Sequence, residues 1–341
     1  MEEKPHPIKV LLAVGLDPKL LEDVRNVDPR LEICVLDRET IPLFWGRPPA
    51  EGDTATQERF ASLMAGAEVL YGLIVSTEQA RGILATAPNL RWFQSTSAGV
   101  DELIDAGFSE RGVAVTTSSG VHATPIAEYA LHLMLMFAKQ AARSLKAQQE
   151  RRWDRFTPAE LKDATVGVVG LGQIGSEVAR LAKGFGCRVL AMDRARTDAG
   201  PADELLPPSD LQRLLAESDY VVLSVPLSNE TRRMIGEAEL RAMRPSAVLI
   251  NVCRGAVVDE EALVRALKEG RIAGAGLDVF EREPLPPESE LWGMENVIIS
   301  PHVSGANIHY FERAAPIFCE NLRRYLDGHP LLNLILPERG Y

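Results

Sequence analysis

The stretch Ala164-Thr165-Val166-Gly167-Val168-Val169-Gly170-Leu171-Gly172-Gln173-Ile174-Gly175 constrains the fold more than any other. Residues 166–169 are β-branched around one glycine and carry no polar side chain, which reads as a buried parallel strand. A Gly-x-Gly-x-x-Gly run ends the strand, and a helical pattern begins at once. Gly170 permits the tight turn, Gly172 leaves room for a pyrophosphate to approach the backbone, and Gly175 lets the helix pack closely on the sheet. Phosphates at this point would sit on a helix N-terminus, where free N–H groups and the helix dipole favour anions. Such a run also arises by chance in glycine-rich loops, so the flanking chain decides what it means.

That chain alternates strand and helix on both sides of the motif. Residues 8–14, 31–36, 69–75, 90–95 and 113–117 are apolar runs of strand length. Between them, Asp17-Pro18 opens a helix with Leu20, Leu21 and Val24 as its buried stripe, and helical patterns cover 78–86 and 101–110. Residues 42–53 are rich in proline and glycine and read as a loop. Its Phe44 and Trp45 either line a substrate mouth or pack on the domain's own surface, and the second reading is favoured. Alternation of this kind predicts a parallel sheet with helices on both faces, closing a first domain after about 115 residues.

Thr124-Pro125 opens a long helix running to about Gln149, of a length that suits a connector between domains. From Val166 the alternation resumes, with strands at 188–192, 220–225, 247–252, 275–280 and 297–299. Residues 211–215 are helical, Asp259 caps a helix through Leu267, and a last helix covers 307–326. The fold class is therefore α/β, with two doubly wound parallel-sheet domains.

The 341-residue length agrees with two domains of ~150 residues. A hydrophobic content of 46% and a charged content of 25% are those of an ordinary globular protein. The net charge of −11 argues against nucleic-acid binding, though one local arginine can still bind a small carboxylate. Met1-Glu2-Glu3-Lys4-Pro5 does not resemble a signal peptide, and the apolar stretch 129–138 is too short to span a bilayer. Cys34, Cys187, Cys253 and Cys319 are scattered, which disfavours a disulfide or zinc framework and makes a reduced, cytoplasmic protein the expectation.

Asp193 lies 18 positions after Gly175, at the end of the next predicted strand. A carboxylate there accepts hydrogen bonds from the adenosine ribose hydroxyls of a dinucleotide. Its charge would repel a 2′-phosphate, so NAD is expected, while Arg194 and Arg196 keep NADP possible.

Ligands of doubly wound sheets bind outside the carboxyl ends of the strands. Arg254, Glu283 and His302 fall at three such ends. An arginine can hold a carboxylate bidentately and polarise an adjacent keto oxygen. A histidine exchanges a proton near neutral pH, and a glutamate beside it keeps the imidazole protonated as a general acid. Singly, each residue is more commonly a surface charge or a structural histidine; their coincidence at consecutive strand ends carries the argument.

These motifs resemble the D-isomer-specific 2-hydroxyacid dehydrogenases. Gly170-Leu171-Gly172-Gln173-Ile174-Gly175 is similar to that family's cofactor loop, and Asn251-Val252-Cys253-Arg254-Gly255 to its Arg motif. Leu277-Asp278-Val279-Phe280-Glu281-Arg282-Glu283-Pro284 is similar to its Glu motif, and Ser300-Pro301-His302-Val303-Ser304-Gly305 to its His motif. The spacings, 29 from Arg254 to Glu283 and 19 from Glu283 to His302, also fit.

The resemblance implies hydride transfer between NAD(H) and C2 of a small 2-oxo or 2-hydroxy acid. Arg254 would hold the carboxylate and keto oxygen, His302 would act as acid or base, and Glu283 would support His302. Gly170, Gly172, Gln173, Ile174, Gly175 and Asp193 would bind the cofactor, with Val225, Pro226 and Thr231 flanking its adenosine half. Val252, Cys253 and Arg254 would line the nicotinamide side, Asp278 would contact the carboxamide, and Thr124 and His302 would approach the cofactor. Ser97-Ala98-Gly99-Val100-Asp101 is similar to the family's carboxylate-binding loop, so Ala98, Gly99 and Val100 would meet the substrate, with Val75 and Ser76 as a neighbouring wall.

By the same resemblance, residues 1–118 and 305–341 would form a flavodoxin-like substrate domain. Residues 119–304 would form an inserted Rossmann cofactor domain, and the chain would be a homodimer. Cys253 stands where many members carry Ser, Thr or Ala, which leaves redox sensitivity open. Two rival readings share the fold: an NAD(H)-sensing, corepressor-like binding protein, and a nucleotide-binding structural subunit.

Overall fold

The computed structural model describes residues 7–47, 53–97, 99 and 101–335. The chain forms two compact units, one ending at Val121 and resuming at Ile308, the other spanning His122–Asn307.

The first unit runs β1 (Ile8–Leu12), α1 (Pro18–Arg25), β2 (Leu31–Val35), α2 (Ile41–Phe44), α3 (Thr54–Gly66), β3 (Val69–Gly72), α4 (Thr77–Thr86), β4 (Trp92–Ser95), α5 (Asp101–Asp105) and β5 (Ala114–Thr116). Its five parallel strands lie in the order β2-β1-β3-β4-β5. Asp17 caps α1 by accepting from Lys19 N and Leu20 N, and Pro18 occupies the first helical position. Alternation along the strands divides the core. Leu11, Leu70 and Phe93 face one layer, with Phe44 and Met64. Val10, Leu12, Val69, Tyr71 and Trp92 face the other.

The second unit runs α6 (Ala123–Ala138), α7 (Ala141–Gln149), β6 (Thr165–Val169), α8 (Gln173–Gly184), β7 (Arg188–Met192), β8 (Glu204–Leu206), α9 (Leu211–Glu217), β9 (Tyr220–Leu223), α10 (Glu237–Ala242), β10 (Val248–Asn251), α11 (Glu260–Lys268), β11 (Gly274–Leu277) and β12 (Val297–Ile299). Its seven parallel strands lie in the order β12-β11-β10-β9-β6-β7-β8, so the chain reverses direction across the sheet between β6 and β9. Val166, Val168, Val189, Val222 and Ile250 pack under α6 and α8 on one face. Val169, Leu190, Leu223 and Leu249 pack against Leu214, Leu240 and Leu263 on the other.

The chain then returns to the first unit as α12 (Tyr310–Leu326). Phe318 and Leu322 complete the second core layer there, with Phe318 stacked 4.5 Å from Tyr71 and tilted against Trp92 at 5.5 Å, centroid to centroid.

Several expected boundaries differ. The single helix expected over 124–149 breaks at Gln140, which adopts φ +50°. The Ala138 carbonyl, which a continuing helix would use, accepts instead from Ala159 N at 2.9 Å, and Lys139 Nζ donates to Ala159 O at 2.8 Å. The strand expected over 275–280 ends at Leu277 and the helix expected over 101–110 ends at Asp105. The final helix starts at Tyr310 rather than near Asn307. Phe44 is 2% exposed, its ring seated where a Cβ on Gly72 would lie 2.9 Å away. It belongs to the core and does not line a mouth. Among the described residues, no helix is long and apolar enough to cross a membrane.

Candidate active site

Pairing register brings the carboxyl ends of six strands into one row. Met192, Val169, Leu223, Asn251, Leu277 and Ile299 are consecutive partners across the sheet of the second unit. Asp193, Gly170, Ser224, Val252, Asp278 and Ser300 therefore emerge side by side. Every predicted cofactor or acid–base residue is on this edge or in the loops leaving it, except Gln173, Ile174 and Gly175, which form the first turn of α8, and Thr124, which lies in the first turn of α6.

The glycine loop leaves β6 at the point where strand order reverses. Gly170 has φ +95°, and a Cβ there would meet Ser224 O at 2.9 Å. A Cβ on Gly175 would lie 1.9 Å from Gly170 O, so only glycine allows α8 to start here. Gly172, the N-cap, faces open space, and no side chain caps the first N–H groups of α8. Exposed helix-end donors beside a glycine with free space are what a pyrophosphate needs, so the residues fit a dinucleotide. Ser224 steadies the loop by donating to Gly170 O at 2.7 Å. Asp193 ties it to β7, accepting from Leu171 N at 2.8 Å with one oxygen and from Ala195 N and Arg196 N with the other. Arg194 pairs with Glu230. Arg196 donates to Leu171 O, Ser176 Oγ and Asp198. Across the reversal point, Thr231 donates to Pro226 O at 2.6 Å, closing the turn that follows Val225.

Arg254, Glu283 and His302 follow the ends of β10, β11 and β12. His302 Nδ1 lies 2.7 Å from Glu283 Oε2, and Glu283 Oε1 accepts from Phe280 N at 3.0 Å. Burial pushes the Glu283 carboxyl up, but the His302 and Phe280 hydrogen bonds outweigh it and hold the carboxyl below its ordinary value. Hydrogen bonding to Glu283 raises His302 above its ordinary value, against burial and the Arg254 charge. An ionised carboxylate only accepts, so Nδ1 carries the proton between the two residues and Nε2 is left for exchange with a ligand. The His302 side chain is 48% exposed, which keeps Nε2 reachable.

Asn251, buried at 1%, shapes the arginine loop: Nδ2 donates to Arg254 O and Oδ1 accepts from Cys253 N. A Cβ on Gly255 would lie 1.8 Å from Phe280 C, so this loop packs directly on the backbone that presents Glu283. Arg254 itself donates from Nη1 to Cys253 O at 2.8 Å. Burial pushes the Cys253 thiol up to about 11, which favours the protonated, less reactive thiol at neutral pH.

Asp278 carries a task that residue types alone do not reveal. It is wholly buried, and its carboxylate accepts from Ser300 Oγ at 2.6 Å, Val303 N at 2.9 Å and Ser304 N at 2.9 Å. Its carbonyl accepts from His302 N at 2.8 Å. The clamp encloses His302, whose φ of +52° is a conformation that costs a non-glycine residue on the order of 1–3 kcal/mol. Burial pushes the Asp278 carboxyl up, while Ser300, Ser304 and Val303 together bring it below its ordinary value.

In the first unit, Val75 and Ser76 follow β3 and Thr96 to Gly99 follow β4, its neighbour in the sheet. Ser76 Oγ caps α4 by accepting from Gln79 N at 3.1 Å, and Val75 N donates to Gln79 Oε1 at 3.0 Å. This leaves the Val75 side chain 61% exposed. Ala98 and Val100 lie outside the described residues.

Residues 131–304 match the family model described as D-isomer specific 2-hydroxyacid dehydrogenase, NAD binding domain. A glyoxylate reductase of Korarchaeum cryptofilum is 39% identical over 262 residues, covering 75% of this chain and 79% of that protein. The solved structure of a D-isomer specific 2-hydroxyacid dehydrogenase family protein from Aeromonas salmonicida superposes with a TM-score of 0.81 at 31% identity, over 97% of this chain and 99% of that one. A D-isomer specific 2-hydroxyacid dehydrogenase from Xanthobacter autotrophicus, solved with NADPH and MES, gives a TM-score of 0.78 at 31% identity, over 98% and 100%. With the strand-end row, the glycine cradle and the Glu283–His302 pair in place, the chain belongs to the D-isomer-specific 2-hydroxyacid dehydrogenase family.

Proposed function

We propose that this NAD(P)-dependent oxidoreductase interconverts a small 2-oxo acid and its D-2-hydroxy acid, with glyoxylate the first substrate to test. The observation that carries the reading is the 2.7 Å contact between His302 Nδ1 and Glu283 Oε2 at the strand ends beside the Arg254 loop. Arg254 binds the substrate carboxylate and polarises the keto oxygen. A bound reduced nicotinamide supplies the hydride to C2. His302 gives its Nε2 proton to the keto oxygen, and Glu283 holds the Nδ1–H and stabilises the imidazolium. In the reverse direction the neutral imidazole takes the hydroxyl proton.

On this reading the second unit holds the cofactor through the glycine loop, Asp193, Val225, Pro226, Thr231, Val252, Cys253, Asp278 and Thr124. The first unit supplies the substrate loop with Val75, Ser76, Ala98, Gly99 and Val100. Arg194 and Arg196 already have partners in Glu230 and in the glycine loop with Asp198, which supports NAD over NADP. The family resemblance supports a homodimer, checked by light scattering. Four unbonded thiols support a reducing, cytoplasmic setting.

The test is loss of reduced-nicotinamide absorbance with glyoxylate, hydroxypyruvate, pyruvate and bulkier 2-oxo acids, using NADH and NADPH in parallel. Turnover with at least one acid is expected, and His302→Ala lowers its rate by roughly two to four orders of magnitude. Tight NADH binding without turnover of any acid would overturn the enzyme reading and favour a sensor.

A further inference from the structure

Two consecutive residues at the carboxyl end of β4, Ser95 and Thr96, are held by groups from other elements of the same unit. Tyr310 Oη donates to Thr96 O at 2.6 Å and lies 2.9 Å from Ser118 Oγ. Ser118 Oγ donates to Ser95 O at 3.2 Å. Ser95 Oγ accepts from Ser97 N at 3.0 Å. Ser95, Thr96 and Ser118 are buried at 2%, 8% and 1%. Ser118 is braced in turn by Asn333, whose O accepts from Thr117 N at 3.2 Å and whose Nδ2 donates to Thr117 O at 3.2 Å and Ser119 O at 3.3 Å. The wholly buried Tyr71 hydroxyl adjoins Tyr310, and no donor–acceptor pair of good geometry reaches it. Burial pushes the Tyr310 phenol up to about 12, so it stays a donor at any working pH.

Thr96 and Ser97 lead directly into Gly99, in the loop assigned above to the substrate carboxylate. We infer that Tyr310 and Ser118 are positioning residues for substrate binding, fixing the direction in which the chain leaves β4. The inference rests on the reading of residues 97–100 as the substrate loop. A loop that offers backbone N–H groups to a carboxylate depends on where its first peptides point. Here a phenol from the first turn of α12 and a hydroxyl after β5 set the Thr96 and Ser95 carbonyls. Neither residue is assigned contact with substrate or cofactor; they act through the loop.

The test uses the full-length enzyme with glyoxylate and NADH. Tyr310→Phe keeps the ring and removes one donor, and Ser118→Ala removes the other hydroxyl. Both should raise KM for the 2-oxo acid roughly five- to tenfold, the worth of one hydrogen bond. Both should leave kcat, its pH profile and the Kd for NADH within about twofold, since these belong to the second unit. Gly99→Val serves as the control for the loop itself. If Gly99→Val leaves KM unchanged, the substrate-loop reading fails and the inference falls with it. If Gly99→Val raises KM while Tyr310→Phe and Ser118→Ala lower only the melting temperature, the loop reading stands and the positioning role is overturned.

Discussion

Asp278→Asn probes the clamp around His302 with almost no change of shape. The carboxylate serves three donors: Ser300 Oγ and Val303 N on one oxygen, Ser304 N on the other. An amide has one oxygen, so in either orientation its NH2 faces a backbone N–H, that of Val303 or of Ser304. The Ser300 hydroxyl can turn and accept; a backbone amide cannot. One buried N–H thus loses a charged acceptor, at a cost of about 1.5–3 kcal/mol. For a unit of this size, each kcal/mol moves Tm by roughly 2–4 °C, so a fall of roughly 3–12 °C is expected by calorimetry. Once the clamp slackens, the left-handed backbone at His302 can relax, and a shift of an ångström in the imidazole lowers kcat/KM on the order of 100-fold. The pH dependence has a definite sign. The Asp278 carboxyl is depressed in the folded protein, so its stabilisation is present above its unfolded value and is lost as pH falls through the folded one. The Asn variant should lack that loss on the acid side. An Asn variant with unchanged Tm and unchanged kcat/KM would refute the clamp.

Glu283→Gln removes the charge that raises His302. On the proposed function, reduction of a 2-oxo acid uses the protonated imidazole, so its rate should fall away at a lower pH in the variant than in the parent, read from kcat/KM profiles. The raised imidazole contributes stability that is complete below its unfolded value and is lost as pH rises through the folded one, and the Gln variant should lose less on that side. Gly172→Ala adds a methyl to open space and should fold with unchanged Tm while weakening NADH in a fluorescence titration. Gly175→Ala would place that methyl 1.9 Å from Gly170 O, so its Tm should drop as well. Equal Tm for the two glycine variants would contradict the close approach of α8 to β6.

The parts legible from residue order are those whose residue type and spacing are the mechanism. A Cβ at Gly175 or Gly170 has nowhere to go, so the glycine loop announces itself. The placement of Arg254, Glu283 and His302 after neighbouring strands is legible because the strand ends of a doubly wound sheet converge. The Asp278 clamp is not, because two of its donors are backbone N–H groups that any sequence offers, brought over by the β11–β12 pairing. The same holds for the break after Ala138, where the competing donor is the Ala159 amide. Strand β8 is three residues long and α10 six, too short to show a period. The α10 start rests on Glu239 accepting from Gly236 N, a cap without a capping side chain at the first position.

The return of α12 to the first unit has a consequence for how this protein is made. Phe318 and Leu322 cover Val10, Leu12, Val69, Tyr71 and Trp92, yet they leave the ribosome after the whole second unit. The continuous His122–Asn307 segment can therefore fold during synthesis, while the sheet begun first waits with one apolar face covered only in part, by Leu21 and Val24 of α1. A nascent chain stopped before Tyr310 leaves Tyr71 and Trp92 without the Phe318 ring that packs on them, and the emergence of α12 is the event that completes the core of the older half.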